Sequence, residues 1–93
     1  MRQATTHAIS IPSQVCFDRG LSPAAKLLYG EVAYRCREQG YCPLNKHYFA
    51  MLYEVSFKTV TTWIAQLEEA GYLRIRYDET GQQRLLYLEE INH

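Results

Sequence analysis

Hydroxyls crowd the start of one segment, "SFKTVTTWIAQLEEAGYLRIR" (residues 56–76), where Ser56, Thr59, Thr61 and Thr62 surround a single ammonium, Lys58. Such groups donate and accept hydrogen bonds. The charges of this segment run against a helix dipole, with Lys58 in the first turn and Glu68 and Glu69 in the last. Acids near the amino end and bases near the carboxyl end each stabilise a helix by roughly 0.3–1 kcal/mol. An amino end kept clear of acid leaves its N–H groups to an anion from outside. Indifference on an exposed surface is the alternative, and the elements around the segment decide between them.

The segment fits a helix followed by a strand. At 100° per residue, Phe57, Val60, Trp63, Ile64 and Leu67 share an arc of roughly 120° that can face a core. Lys58, Thr59, Thr61, Thr62 and Gln66 occupy the rest, a face short of the Glu and Lys that ordinary solvent faces carry. Gly71 can take the left-handed position just past the helix. Before it, Asn45 caps a short helix over 46–53 with Phe49 and Leu52 inward, and Ser56 caps the next one about three residues on. That is helix-turn-helix spacing.

Upstream, "LSPAAKLLYGEVAYRCREQG" has Ser22 as N-cap, Pro23 at the first helical position and Gly40 past the end. Ala25, Leu28, Tyr29, Val32, Ala33 and Cys36 form its apolar stripe, and Lys26, Glu31, Arg35, Arg37 and Glu38 a mixed, solvated face. "AISIPSQVCF" reads as a short extended segment packed along an edge. Downstream, Leu73, Ile75 and Tyr77 alternate with Arg74 and Arg76, the chain turns at "DETG", and it returns through Arg84 to Leu88 as a β-hairpin. The expected class is α+β, a winged helix-turn-helix. It has three helices, a C-terminal two-stranded hairpin as wing and a short N-terminal extended segment. Residues 1–7 are expected to be a flexible tail and 8–93 the domain.

In such a fold the second helix of the pair lies in the major groove of double-stranded DNA and its first residues reach base edges, while neighbours hold phosphates. Thr59, Thr61, Thr62 and Gln66 suit base edges, and threonine methyls suit the thymine methyl. Surface polarity is the plain alternative for all four, and it fits Gln66 best. Phe57 either staples the helix start or lies against sugar or base. Lys46 joins Lys58 as a phosphate candidate, and Asn45 is its cap. Arg74, Arg76 and Arg84 form a cationic strip if they project from one face of the hairpin, with cross-strand pairing to Asp78, Glu79 or Glu89 as the competing use.

Bulk composition bounds the rest. Ninety-three residues, 47% hydrophobic and 22% charged, make one small globular domain. Ten Lys and Arg balance ten Asp and Glu, so there is no global steering toward a polyanion and local placement must do the work. One copy should bind DNA weakly, which calls for a homodimer, repeated sites or a further C-terminal domain. Cys16, Cys36 and Cys42 match no disulfide framework and read as reduced thiols, with a zinc site on Cys36, Cys42 and His47 as the lesser alternative, its spacing irregular and a fourth ligand not obvious. No signal peptide, membrane span or nucleotide-loop, metallohydrolase or nucleophile motif is present. The expectation is a cytoplasmic non-enzyme without cofactor or small-molecule substrate.

"LSPAAKLLYGEV", "GYCPLNKHYFAMLYEVSFKTVTTWIAQLEEAGYLRI" and the hairpin, together about residues 8–88, resemble the helix-turn-helix domain at the N-terminus of bacterial phage and plasmid replication initiators and replisome organisers. The more specific runs are "LLYGE", "GYC", "NK-YFA-LY" and "S-KTV-TWI-QLE--GYL". The resemblance implies origin-DNA binding through this domain, with helicase recruitment residing in a separate C-terminal one. Asn45, Lys46, Ser56, Lys58, Thr59, Thr61 and Thr62 match its DNA-facing positions, and Phe57 departs from the basic residue often found there. A stand-alone repressor of a mobile element, and a winged helix used only for protein contact, are the rival readings.

Overall fold

A computed structural model describes residues 8–90, so the tail expected over 1–7 lies outside the described residues. The elements are α1 (Ser13–Cys16), α2 (Pro23–Gln39), β1 (Cys42–Pro43), α3 (Lys46–Tyr53), α4 (Phe57–Glu69), β2 (Leu73–Tyr77) and β3 (Arg84–Leu88). The winged helix-turn-helix expected from the sequence is present, with two additions among the described residues. The segment expected to be extended contains the single helical turn α1, begun after Pro12, whose fixed φ suits a helix start. It burial-anchors through Val15. The wing is part of a three-stranded antiparallel sheet in the order β1-β3-β2, because Cys42 and Pro43 pair with Leu86 and Leu85.

Local punctuation sets the helices. Ser22 Oγ accepts from the Ala25 N–H at 3.2 Å, Pro23 opens α2, and Gly40 closes it with φ 84°. Gly71, at φ 87°, closes α4. The Tyr72 N–H then reaches the Leu67 carbonyl and the Gly71 N–H the Glu68 carbonyl, at 2.9 and 3.0 Å, which consumes two orphan acceptors of the last turn.

The core lies between α2, α3, α4 and one face of the sheet, and Leu28, Val32, Phe49, Val60, Leu67, Leu73 and Leu86 are almost fully buried in it. Each such side chain contributes about 1.5–3 kcal/mol on leaving water. The N-terminal segment crosses α2 at Gly30, where an added Cβ would meet Ile9 Cδ1 at 2.9 Å and Ile11 Cγ1 at 3.3 Å. A helix-interior glycine costs roughly 1 kcal/mol relative to alanine, and here it makes room for that crossing.

Glu31 corrects the expected solvated face of α2. It is 1% exposed, and the Arg35 Nε donates to its Oε2 at 2.8 Å. Arg35 in turn donates to the Tyr48 hydroxyl, with its guanidinium carbon 4.4 Å from the Tyr48 ring centroid. A buried carboxylate is tolerable when paired in this way, and the Arg35–Tyr48 contact ties α2 to α3.

Candidate nucleic-acid interface

The turn between α3 and α4 fixes how the second helix is presented. Glu54 adopts φ 57° and ψ 49°, a left-handed conformation that side chains other than glycine rarely take. Its N–H reaches the Met51 carbonyl at 3.3 Å and the Val55 N–H reaches the Ala50 carbonyl at 3.0 Å, the same closing pattern as at Gly71. Tyr53 and Trp63 then meet edge to face at 5.7 Å and brace α3 against α4. Nothing in the type of residue 54 announces this turn. The short spacer between Tyr53 and Ser56 was the signal that demanded it.

Ser56 is the N-cap of α4, its Oγ accepting from the Thr59 N–H at 3.2 Å, and no acid occupies the first turn. The amides of Phe57 and Lys58 precede the first intrahelical bond and have no partner within the helix. Val60, Ile64 and Leu67 face the core, as expected, and Trp63 packs partly against it. The exposed stripe opposite runs Lys58, Thr61, Thr62, Ala65 and Glu69. Phe57 is 47% exposed and its ring meets His47 edge to face at 4.4 Å, so it spans the seam between the starts of α3 and α4. Asn45 caps α3 by accepting from the Tyr48 N–H at 3.0 Å, with Lys46 partly exposed beside it.

A family model described as a helix-turn-helix domain matches residues 19–73, more than half of the chain. The chain belongs to that helix-turn-helix family. No curated protein and no solved structure matches it. Membership makes this a helix-turn-helix DNA-binding domain, with α3 and α4 as the paired helices, and the matched span ends at the first residue of β2.

The remaining candidates of the helix-turn-helix domain divide by what already holds them. Thr61 is exposed and has no protein partner among the described residues. Thr62 donates its hydroxyl to the Lys58 carbonyl at 3.0 Å, which leaves its lone pairs and methyl outward. Thr59 is half-buried and shares a 3.0 Å hydroxyl contact with Ser56, so it serves the cap. Gln66 is drawn to α2: its Oε1 accepts from the Ser22 N–H at 3.1 Å and from the Ser22 hydroxyl at 3.2 Å. That bond takes Gln66 off the exposed stripe.

The single strip of arginines does not form. In the hairpin register Arg74 lies opposite Tyr87 and Arg76 opposite Leu85, whereas Arg84 lies opposite Tyr77 on the face shared with Ile75 and Leu86. Directly opposed residues project to the same face and neighbours to opposite faces. Arg74 and Arg76 therefore occupy the outer face of the sheet and Arg84 the helix side. Arg74 also sits 3.5 Å from Glu89, the cross-strand pairing weighed from the sequence. At the hairpin turn Asp78 is structural, its Oδ1 accepting from the Thr80 hydroxyl at 2.7 Å and from the Gln82 and Gln83 amides.

Among the described residues no three His, Cys, Asp or Glu side chains are grouped to hold a metal. The Cys36 thiol points to the Leu86 carbonyl at 3.8 Å. Burial pushes the Cys42 thiol up to about 11, so Cys42 stays protonated near neutrality and packs as a small apolar group. No helix among the described residues is long and apolar enough to cross a membrane.

Proposed function

We propose that this domain binds double-stranded DNA with α4 in the major groove, as the origin-recognising part of a phage or plasmid replication initiator in the bacterial cytoplasm. The observation that carries the duplex reading is the acid-free, solvent-exposed first turn of α4, where Ser56 caps through a hydroxyl and Lys58 stands outward. Phosphate is favoured there by the dipole and the spare amides. Lys58 and Lys46 hold the backbone, and Thr61 and Thr62 lie against base edges. Phe57 rests on the sugar beside them, and Arg84 supplies a cation from the wing. The initiator role is supported by the resemblance of the runs around "LLYGE", "NK-YFA-LY" and "S-KTV-TWI-QLE--GYL".

Selection of bound fragments from the source replicon tests both levels. Enrichment of repeated sites within the origin supports the initiator role, and enrichment of promoter operators replaces it with a repressor. Failure to enrich any duplex, at low salt and with a folded domain, removes the duplex reading and leaves protein contact.

A further inference from the structure

The outer face of the sheet, where Arg74 and Arg76 lie, carries an unusual set of side chains. Two rows cross the strands. In one, Tyr41 precedes β1 and its ring lies 5.8 Å from that of Tyr87, and the Arg74 guanidinium carbon lies 5.6 Å from the Tyr87 ring centroid. In the next row Pro43, Leu85 and Arg76 stand side by side by register. Leu85 is only 9% exposed, although it lies outside the main core. Polar strand faces normally carry Thr, Lys or Glu, whereas this one offers aromatic rings, an apolar floor and planar cations.

Those three chemistries match one class of ligand. Bases stack on aromatic rings with little regard to sequence, and phosphates pair with the guanidinium edges. Arginine suits this better than lysine, because its planar group can lie over a ring and still present N–H donors outward. Tyr41 lies next to the edge strand β1 and is partly exposed. Arg76 is exposed, and the acid nearest Arg74 is Glu89 at the margin, with both side chains around two-fifths exposed. An exposed pair of that kind is weak and readily exchanged for a phosphate.

We infer that the outer face of the sheet, through Tyr41, Tyr87, Arg74 and Arg76, binds single-stranded nucleic acid. This surface is separate from the α4 stripe and does not depend on the duplex reading. Fluorescence anisotropy with a labelled short oligothymidylate tests it, run beside a duplex titration on the same preparations. The wild-type domain should bind the oligonucleotide with an affinity that falls as salt rises. Tyr41→Ser and Arg76→Glu should each weaken it about tenfold, while Lys58→Glu should leave it within about twofold of wild type and lose the duplex instead. Thermal melting confirms that the variants fold, and the exposed Arg76→Glu remains informative if the half-buried Tyr41→Ser does not.

Absence of oligonucleotide binding at low salt overturns the inference. So does its loss in Lys58→Glu but not Arg76→Glu, or displacement by excess duplex, since the strand would then occupy α4. Displacement by polyglutamate as effective as by unlabelled oligothymidylate would assign the face to an acidic protein partner and overturn it equally. Loss of duplex affinity alone, with the oligonucleotide still bound, is the failure of the duplex reading and not of this one.

Discussion

Two serines open helices with the same bond. Ser22 Oγ accepts from the Ala25 N–H and Ser56 Oγ from the Thr59 N–H, both at 3.2 Å. Their surroundings differ. Ser22 is partly buried, its hydroxyl and its own N–H are both held by Gln66, and Pro23 removes a donor from the first turn. Ser56 is exposed, its hydroxyl engages only Thr59 among the described residues, and it is followed by Phe57 and Lys58, which keep their amides. One local motif thus serves as a closed joint at α2 and as an open end at α4. The capping signal tells where a helix starts, and access to solvent tells whether that start is spare for a ligand.

The sharpest way to break the comparison is to reverse the charge at the open end. Lys58→Glu should lower duplex affinity about a hundredfold, through a lost phosphate contact and a new repulsion, with the melting temperature nearly unchanged. Equal binding in a salt-matched titration would show that the open end is not used. Ser22→Ala should do the opposite, costing about 1–2 kcal/mol in urea denaturation by removing a cap and one of the two bonds to Gln66, with duplex affinity intact well below the melting temperature. Ser56→Ala should cost less stability, roughly 0.5–1 kcal/mol, and should weaken the duplex. If both serine variants behave alike, the distinction between closed and open caps fails.

Acid should also separate the two ends. Asp18, just ahead of Ser22, accepts from the Tyr72 hydroxyl at 2.7 Å and from the Gly20 N–H at 2.8 Å, and these bonds hold its carboxyl below the usual value. A depressed folded value means that the stabilisation is present above the ordinary carboxylate range, near pH 3.9, and is lost as pH falls through the folded value. Denaturation midpoints should therefore drop below about pH 4, and Asp18→Asn should flatten that limb. An unchanged limb in the variant would locate the acid sensitivity elsewhere.

Much of this arrangement was legible because the punctuating residues act locally. Ser22, Pro23, Gly40, Asn45, Ser56 and Gly71 each do in the structure what their chemistry required in the sequence. Features that depend on a second element were not legible. Glu31 fell off the apolar stripe of its own helix, and its burial is supported by Arg35, which Tyr48 of α3 holds in turn. Gln66 appeared to share the polar face of α4 until α2 supplied Ser22. The arginines were visible as hairpin residues, but which face each takes is set by the pairing of Tyr77 with Arg84, and that register is a property of two strands. Gly30 gave no hint of its use because the residues that cross it lie far upstream.

The sheet order has a further bearing on how the molecule is made. The middle strand is the last among the described residues, so during synthesis β1 must wait for Leu85 and Leu86, some forty residues later, before one of its edges finds a partner. Long-range pairing of that kind is slow relative to helix formation. A ribosome-bound chain that has emerged only through β2 can assemble its helices, but Cys42 and Leu73 still lack the strand that covers them. The wing is thus the final latch of the fold, and whatever delays it leaves apolar strand residues open to the wrong neighbour.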